Sequence, residues 1–345
     1  MNLEVEILKH FKNFTLNMAL ATDSRALGIL GASGSGKSMT LRCIAGIERP
    51  DEGRIVLNNR VLFDSKEKIN LPPQQRKVGY LFQSYALFPH MTVEENILCG
   101  MGKTGKQGIA EYMQLLHLEG LEKQYPKQLS GGQAQRVALA RILASQPNIL
   151  LLDEPFSALD AHLKEEIQMD LMELLQHYEG QMAMVTHNRD EAYKMCDEIL
   201  IVDGGKAQIL APKKEVFEDT KSLIVARLTG CKNIVAAQKI DAHKIWVEQW
   251  ACLLKLEREV PDGLTHIGMR AHHWIPVTAK DQAENQLSVE VERCIESLFH
   301  YDILLKCGPN SESQIWWKAN KTKEGLQIPT HLKLRDEHIL LLTEA

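Results

Sequence analysis

The chain has 345 residues and a formal net charge of −5, with 40 lysine and arginine side chains against 45 aspartate and glutamate side chains. This length predicts two domains, and the hydrophobic fraction of 44% excludes a disordered chain. The balanced charge argues against a nucleic-acid binder, the apolar runs are too short for a membrane helix, and seven cysteines without a CxxC pair argue against a disulfide framework or a structural zinc site.

A glycine-rich segment, called the phosphate loop below, lies between a predicted strand at 28–31 and a predicted helix at 39–45, and it contains the pattern GxxxxGKS. Glycines let the chain wrap around a phosphate with its N–H groups pointing inward, next to a helix N-terminus. The lysine of this pattern faces the β- and γ-phosphates, and the serine hydroxyl is a ligand for Mg²⁺. The predicted phosphate-binding residues are Gly31, Ala32, Ser33, Gly34, Ser35, Gly36, Lys37 and Ser38.

A second apolar run ends in two carboxylates, because residues 149–152 are followed directly by Asp153 and Glu154. Such a run predicts a buried parallel strand, and α/β sheets bind ligands at the carboxyl ends of their strands. Asp153 is therefore expected to hold Mg²⁺, directly or through water, and Glu154 to polarise an attacking water. Together with the phosphate loop, these carboxylates indicate a nucleoside triphosphatase.

The sequence LSGGQ at residues 129–133 narrows the class of enzyme, because a serine and two glycines before a predicted helix form a second cradle for an anion. With these three motifs, residues 1–229 resemble the ATP-binding subunit of ABC transporters. The resemblance implies a head-to-tail homodimer with two ATP molecules between its subunits, in which the LSGGQ segment of one copy binds the ATP of the other. The LSGGQ residues concerned are Ser130, Gly131, Gly132 and Gln133.

Three further residues match functional positions of that family. Gln83 matches the glutamine that contacts Mg²⁺ and links the core to a helical subdomain, and His187 matches the histidine that contacts the γ-phosphate. Asp160 belongs to the segment that communicates between the paired subunits and is expected to lie at the nucleotide. Whether Glu154 acts as a full general base or His187 holds the geometry of the reaction stays open.

The resemblance also implies an aromatic ring that stacks on adenine, and Phe11 and Phe14 are the two candidates. Phe14 alternates with Leu16 and Met18 like the inner face of a strand, so it is also explained as a core residue. Phe11 is the predicted adenine-binding residue, because this N-terminal stretch is shorter than in most members of the family that it resembles.

Residues 85–93, from Tyr85 to Val93, place aromatic and apolar side chains just after Gln83. A helical subdomain is predicted at about 84–145, with a loop at 100–108. The resemblance implies that this region receives a short cytoplasmic helix of the membrane-spanning permease, and such a patch fits a protein interface. The alternative interpretation is an ordinary core loop.

The composition changes near residue 230, since all five tryptophans lie beyond it and 17 of the 22 glycines lie before it. Six short alternating stretches follow, with turns expected at 261–263 and 308–310, and this spacing predicts a small β-barrel or sandwich. It resembles the OB-like accessory domain of many import ATPases. The predicted fold class is an α/β P-loop ABC ATPase domain at 1–229, with a mostly parallel sheet and a helical subdomain, followed by a small all-β OB-like domain at 230–345.

The sequence argues against a regulatory anion site in that second domain. Molybdate-binding versions begin with Ser-x-Arg-Asn, and the best match, at 282–285, lacks the serine and the arginine. Glu284 within this stretch would repel an oxyanion. The pairs His272–His273 and Trp316–Trp317 are expected to fill half-buried β surfaces rather than to bind ligands.

The predicted function is ATP hydrolysis, with ATP and Mg²⁺, that energises import of a small solute through a separate integral-membrane permease and, indirectly, an extracytoplasmic solute-binding protein. Residues 60–80 most resemble molybdate-import ATPases, and residues 228–233 resemble the wider sulfate/molybdate group. Sulfate or thiosulfate is the nearest rival cargo, and sugars, iron and polyamines come next.

A soluble, non-transport ABC ATPase of DNA repair or translation is the alternative from another class. A single GKS, a single LSGGQ and the lack of a heptad run between them argue against it. The N-terminus shows no secretory signal, so we expect an intracellular protein. The resemblance implies a peripheral location on the cytoplasmic face of the cell membrane.

Overall fold

The computed structural model describes residues 2–101, 108–157, 159–277, 284–307, 313–321 and 326–344. The chain forms two compact units, Met1–Lys213 and Lys214–Ala345. Three predicted features fall wholly or partly outside the described residues: most of the loop at 100–108, the turn at 308–310 and the first two residues of the stretch at 282–285. Residue 158, two positions before Asp160, also lies outside them.

An eleven-stranded mixed sheet is the framework of the first unit. Its strands are β1 (Leu3–Phe11), β2 (Phe14–Thr22), β3 (Ala26–Gly31), β4 (Glu52–Leu57), β5 (Arg60–Asp64), β6 (Ile69–Asn70), β7 (Val78–Leu81), β8 (Ile149–Asp153), β9 (Gln181–Val185), β10 (Glu198–Asp203) and β11 (Lys206–Pro212). They are ordered β6-β5-β4-β1-β2-β11-β10-β3-β9-β8-β7. The run from β10 to β7 is parallel and the run from β6 to β2 is antiparallel. The predicted α/β class is confirmed, and the sheet is mixed rather than mostly parallel.

The hydrophobic pattern explains which strands lie at the centre. β8 and β9 are buried at every position, as continuous apolar strands covered on both faces must be. In β2, by contrast, buried Leu16, Met18 and Leu20 alternate with exposed residues. One face of β2 therefore packs on the core and the other faces water.

In the described part of this unit, six α-helices accompany the sheet: α1 (Lys37–Ala45), α2 (Val93–Met101), α3 (Ile109–Leu115), α4 (Gly131–Leu143), α5 (Ala161–His177) and α6 (Arg189–Met195). The helix α2 continues through Gly100, so the prediction of a loop starting at residue 100 was wrong at its start. A Cβ on Gly100 would collide with the carbonyl oxygen of Arg141, so this glycine permits close packing of α2 on α4 rather than ending the helix. Within the described ranges, none of the helices has the length and apolar run that a membrane crossing requires.

The second unit contains antiparallel strands in three sheets. After α7 (Lys213–Glu218) and α8 (Leu223–Leu228) come β12 (Asn233–Ala236), β13 (Gln238–Asp241), β14 (Lys244–Val247), β15 (Cys252–Lys255), β16 (His266–Met269), β17 (Ile275–Val277), β18 (Gln286–Glu296), β19 (His300–Cys307), β20 (Gln314–Asn320), β21 (His331–Lys333) and β22 (Ile339–Leu342). The sheets are ordered β12-β16-β22, β13-β14-β15 and β17-β21-β18-β19-β20. The described residues after α8 contain no α-helix, as predicted, and the OB-like topology stays a prediction.

The division between the units falls earlier than the composition suggests. In α8, Leu223 and Ala226 are buried together with Leu340 and Leu342 of β22. The amide of Leu223 also donates to the carbonyl oxygen of Thr343 at 3.2 Å. Residues 214–229 therefore pack with the second unit, which a count of tryptophan and glycine could not show.

Candidate active site

Most of the predicted site residues lie at one edge of the central sheet. The phosphate loop follows β3, Asp153 and Glu154 stand at the end of β8, and His187 follows β9. Gln83 comes after β7 in the same way. Because these four strands are parallel neighbours, their carboxyl ends meet at this edge.

The backbone of the phosphate loop needs glycine. Gly34 and Gly36 have φ angles of 78° and 102°, in the left-handed region that side chains disfavour. A Cβ on Gly31 would collide with the carbonyl oxygen of Val202, and a Cβ on Gly36 would lie 2.6 Å from Cδ1 of Leu16. The wall of the loop is therefore made of backbone, and the N-terminus of α1 follows it directly. This geometry fits a bound phosphate.

Two polar side chains of the loop, those of Lys37 and Ser35, are buried. Nζ of Lys37 donates to the carbonyl oxygens of Gly31 at 3.0 Å and Ala32 at 2.8 Å. Burial lowers the pKa of the Lys37 ammonium, and the nearby carboxylates of Glu154 and Asp153 oppose this shift. The neighbouring Ser35 hydroxyl is buried and has no hydrogen-bond partner among the described residues. A buried hydroxyl in this position fits a phosphate oxygen as its partner.

Asp153 is buried, and its two carboxylate oxygens have different partners. Oδ1 accepts from the Ser38 hydroxyl at 2.6 Å, and Oδ2 accepts from the Tyr80 hydroxyl at 2.8 Å. Hard oxygen ligands of this type fit Mg²⁺, which is usually held by one or two protein oxygens together with phosphate oxygens and water. The described part of the chain contains no cluster of three or more His, Cys, Asp or Glu side chains suited to a metal.

Glu154 has an unusual backbone and a histidine neighbour. Its φ angle is 48°, in the left-handed region, and its amide donates to the carbonyl oxygen of Val185 at 2.9 Å. Oε2 of Glu154 lies 3.5 Å from Nδ1 of His187, whose side chain is 64% exposed. The Glu154 carbonyl oxygen accepts from the Ser157 hydroxyl at 2.9 Å, and that hydroxyl accepts from Nε2 of Gln83 at 3.1 Å. The contacts thus join Glu154, His187 and Gln83 in one group.

The LSGGQ residues form a second group at the N-terminus of α4. The Ser130 hydroxyl accepts from the Gln133 amide at 3.3 Å, while Oε1 of Gln133 accepts from the Ser130 amide at 2.9 Å. This capping box begins α4 and leaves Ser130 and Gly131 exposed. Gly132 is buried against Leu163 of α5, where a Cβ would lie 2.7 Å from Cδ1.

Asp160 is the N-cap of α5, and its Oδ1 accepts from the Leu163 amide at 3.0 Å. Its side chain is exposed. The described contacts do not bring it to the phosphate loop, so a role at the nucleotide stays a prediction.

Phe11 and Phe14 face each other at the end of the β1–β2 hairpin, with ring centroids 6.0 Å apart. Nζ of Lys9 lies 5.3 Å from the centroid of the Phe11 ring. The Phe14 ring reaches the phosphate loop, since a Cβ on Gly36 would lie 3.1 Å from its Cζ. Both rings are half-buried, and the choice of Phe11 as the adenine partner stays a prediction.

The surface at 85–93 is held by two side chains from α2 and α4. Asn96 is fully buried and bonds to the Phe88 amide at 2.9 Å and to the carbonyl oxygens of Phe88, Met91 and Thr92 at 3.0–3.2 Å. The Arg141 guanidinium donates to the carbonyl oxygens of Tyr85 and Ala86, and its Cζ lies 5.1 Å from the centroid of the Phe88 ring. The Phe88 side chain nevertheless remains 41% exposed. This segment, held by hydrogen bonds to its backbone, presents an apolar ring to solvent.

Three features of the site were missed from the sequence. The Tyr80 hydroxyl is seen at Asp153 only because β7 pairs with β8. The buried Glu191 contacts Thr186, and Arg136 of α4 contacts two carboxylates of α5. The Tyr80 and Arg136 contacts join separate parts of the sequence, so no local pattern indicates them. Thr186 and Glu191 are five residues apart, and their contact depends on the turn between β9 and α6.

Comparisons with known proteins agree with this geometry. The family model described as ABC transporter matches residues 14–157. The chain is 40% identical over 240 residues to a sulfate/thiosulfate import ATP-binding protein CysA of Synechocystis. This alignment covers 66% of this chain and 65% of that relative. It is 39% identical to a spermidine/putrescine import ATP-binding protein PotA of Clostridioides difficile, over 70% of both chains, and 42% identical to an Fe(3+) ions import ATP-binding protein FbpC of Haemophilus influenzae, over 63% of both. The chain thus matches about two thirds of the length of these relatives.

Solved structures resemble the same part of the chain. The dimeric ATP-binding cassette MJ0796 aligns with a TM-score of 0.53 and 28% identity, covering 62% of this chain and 99% of that one. A post-hydrolysis state of MJ0796 bound to ADP and Pi aligns with a TM-score of 0.52, also at 28% identity, over the same shares of the two chains. With its phosphate loop, its paired carboxylates and its LSGGQ helix, the chain belongs to the ATP-binding proteins of ABC import transporters and carries their ATPase domain.

Proposed function

We propose that this chain hydrolyses ATP with Mg²⁺ to energise the import of a small solute through a separate membrane permease. The observation that carries this proposal is the joint placement of Lys37, the Ser38–Asp153 pair and the Glu154–His187 pair at one edge of the sheet. A cation, a metal-binding pair and a proton acceptor are the groups that phosphoryl transfer to water requires.

Each of these residues has a separate task in the proposed reaction. The loop amides and Lys37 bind the phosphates, and Ser38, Asp153 and Gln83 would hold Mg²⁺, which supplies positive charge against the phosphate oxygens. The Glu154 carboxylate accepts a proton from the attacking water. Its contact with His187 is made by Oε2. His187, 3.5 Å from Glu154, orients that carboxylate.

Glu154→Gln tests the chemical step. The amide keeps the shape of the side chain but cannot accept the proton, so we expect hydrolysis to fall by about a hundredfold or more while ATP still binds. The measurements are steady-state phosphate release and binding of a fluorescent ATP analogue. Unchanged steady-state hydrolysis would contradict the assignment of Glu154.

Lys37→Ala is the complementary variant and is expected to abolish nucleotide binding.

We also propose that two copies pair head to tail, so that the α4 N-terminus of one copy caps the ATP of the other. The exposure of Ser130 and Gly131 at that helix end supports this arrangement, as does the dimer described for MJ0796. Ser130→Asp is a sharp test, because aspartate is as good an N-cap as serine but repels a phosphate. We expect unchanged thermal stability and ATP binding by the single chain, with loss of ATP-dependent dimers in light scattering. Dimers that form normally would contradict the head-to-tail site.

The permease is proposed to dock on the segment 85–93. The exposed Phe88 ring and the backbone pinned by Asn96 and Arg141 support a preformed protein interface. Phe88→Asp is expected to reduce co-purification with the permease and to leave hydrolysis by the free chain unchanged. Undiminished co-purification would place the docking surface elsewhere. On this proposal the chain is peripheral to the cytoplasmic face of the membrane.

For the cargo, we propose molybdate or a related oxyanion, with sulfate or thiosulfate as the rival. The support is the resemblance of residues 60–80 to molybdate-import ATPases and of residues 228–233 to the sulfate/molybdate group. The relatives named above import sulfate or thiosulfate, polyamines and Fe(3+), so the ATPase domain is shared among cargoes of opposite charge. Uptake by the reconstituted transporter, with molybdate, tungstate, sulfate, spermidine and Fe(3+) in parallel, decides among them.

A further inference from the structure

We propose that Glu191 is a positioning residue for His187, and that its ion pair with Lys164 makes this positioning depend on α5. The inference rests on the proposed function, in which His187 orients the Glu154 carboxylate. It adds a specific route by which a helix outside the nucleotide site acts on the reacting groups.

Thr186 holds the segment that carries His187. Thr186 is 1% exposed, and its amide donates to the carbonyl oxygen of Ile29 in β3 at 3.3 Å. Its hydroxyl donates to Oε2 of Glu191 and accepts from the Asn188 amide at 3.0 Å. The residues on both sides of His187 are thus tied by the one hydroxyl, which limits where the imidazole can stand.

The Glu191 carboxylate is buried, and both of its oxygens have partners. Its side chain is 6% exposed, and its other carboxylate oxygen, Oε1, forms an ion pair with Nζ of Lys164. Oδ1 of Asn188 accepts from the amides of Asp190 and Glu191 at 2.9 and 3.3 Å, so the same short turn fixes the backbone of Glu191. A buried carboxylate whose two oxygens both have partners has a defined orientation. Loss of either partner leaves one buried carboxylate oxygen unpaired.

Lys164, the ion-pair partner of Glu191, belongs to α5. This helix begins directly after Asp160, and its Leu163 side chain packs on Gly132 of the LSGGQ segment. Further along α5, Glu166 and Asp170 lie 2.7 and 2.6 Å from the Arg136 guanidinium of α4. The helix α5 is therefore bonded to the LSGGQ helix on one side and to the His187 segment on the other. Any shift of α5 changes the Lys164–Glu191 contact and so the orientation of His187.

The experiment compares Glu191→Gln and Lys164→Met with Glu165→Gln, which removes the same charge from an exposed position of α5. For each variant, kcat and KM for ATP are measured, together with nucleotide affinity and thermal unfolding. We expect Glu191→Gln and Lys164→Met to lower kcat by about tenfold with KM and nucleotide affinity nearly unchanged, because only the orientation of His187 is altered. Glu165→Gln should match the unmodified protein.

A double-variant cycle with His187→Ala separates positioning from mere stabilisation of the fold. If Glu191 acts through His187, the combined variant Glu191→Gln/His187→Ala hydrolyses ATP no more slowly than His187→Ala alone. Independent, multiplying losses would overturn the proposal. Lys164→Met, whose side chain is partly exposed and whose loss the fold tolerates more easily, gives the same comparison should Glu191→Gln unfold.

The outcomes also distinguish this inference from the proposed function. If His187→Ala slows hydrolysis but Glu191→Gln and Lys164→Met do not, the positioning role is wrong and the site stands. If His187→Ala hydrolyses ATP at the normal rate, the role of His187 fails and the positioning role fails with it.

Discussion

Tyr80 is the residue whose contact adds most to the sequence motifs of the site. Its hydroxyl donates to Oδ2 of Asp153, while the Ser38 hydroxyl occupies Oδ1. Burial and the adjacent Asp153 carboxylate raise the pKa of Tyr80, so the hydroxyl keeps its proton at neutral pH and remains a donor. We infer that Tyr80 fixes the carboxylate so that Oδ1 is turned towards Ser38.

Tyr80→Phe removes only this hydroxyl. Because one hydrogen bond to a charged group contributes about 1.5–3 kcal/mol, we expect the Mg²⁺ concentration needed for half-maximal nucleotide binding to rise by about tenfold. Binding of a fluorescent ATP analogue at graded Mg²⁺ measures this change. The matched control is Tyr112→Phe, which removes a hydroxyl that contacts the carbonyl oxygen of Leu143 in α4. Equal Mg²⁺ dependence in the two variants would contradict the role of Tyr80.

At the scale of elements, the helix α2 organises the segment before it. Asn96 contacts backbone atoms of Phe88, Met91 and Thr92, so a single buried amide fixes the loop that ends at the start of α2. Tyr85 and Ala86, with φ angles of 59° and 46°, are held in the left-handed region by the Arg141 guanidinium. The shape of the exposed surface is thus set by side chains from two helices.

Asn96→Ala leaves these backbone groups without their partners. We expect the free energy of unfolding to fall by about 2–4 kcal/mol, since several buried polar groups lose their hydrogen bonds at once. Denaturant unfolding followed by circular dichroism measures the loss. Asn17→Ala, at an exposed position of β2, is the control and should change stability by less than about 0.5 kcal/mol. A loss no larger than that of the control would show that Asn96 does not hold the loop.

At the scale of the whole molecule, the two units have separate hydrophobic cores, and the tryptophan side chains are confined to one of them. All five tryptophans belong to the second unit, so tryptophan fluorescence reports on that unit alone. Three histidine rings of this unit are in contact: the ring centroid of His273 lies 4.0 Å from that of His338, on which it stacks, and 4.2 Å from that of His272. Nδ1 of His273 is buried without a hydrogen-bond partner among the described residues.

Acid is expected to destabilise the second unit through this histidine cluster. Burial first, and then the positive charges of His272, His338 and Arg270, lower the pKa of His273 from 6.5 to about 4. The unfolded chain therefore binds the proton more readily, so the stabilising effect is complete above about pH 6.5 and is lost as the pH falls towards about 4. Urea unfolding followed by tryptophan fluorescence at several pH values measures this loss.

His273→Phe, which cannot take up a proton, should flatten that pH dependence. His243→Gln, at an exposed position of the same unit, should leave it unchanged. A pH dependence that persists in His273→Phe would assign the effect to other groups.

Local patterns determined the framework of this protein. The apolar runs of β3, β8 and β9 predict buried parallel strands, and the residues that follow them predict where the ligand-binding edge lies, because parallel strands share that edge. The glycines at 34 and 36 indicated a backbone that only glycine adopts easily, and their positive φ angles agree.

Only the tertiary structure decided how the site residues are held. Tyr80 meets Asp153 across two strands, Glu191 joins Thr186 to Lys164, and α8 packs with β22 although more than a hundred residues separate them in the chain. The physical reason is that motifs depend on backbone geometry over a few residues, which the local sequence specifies. Contacts between distant side chains depend instead on strand register and helix packing, which form only when the whole core is buried.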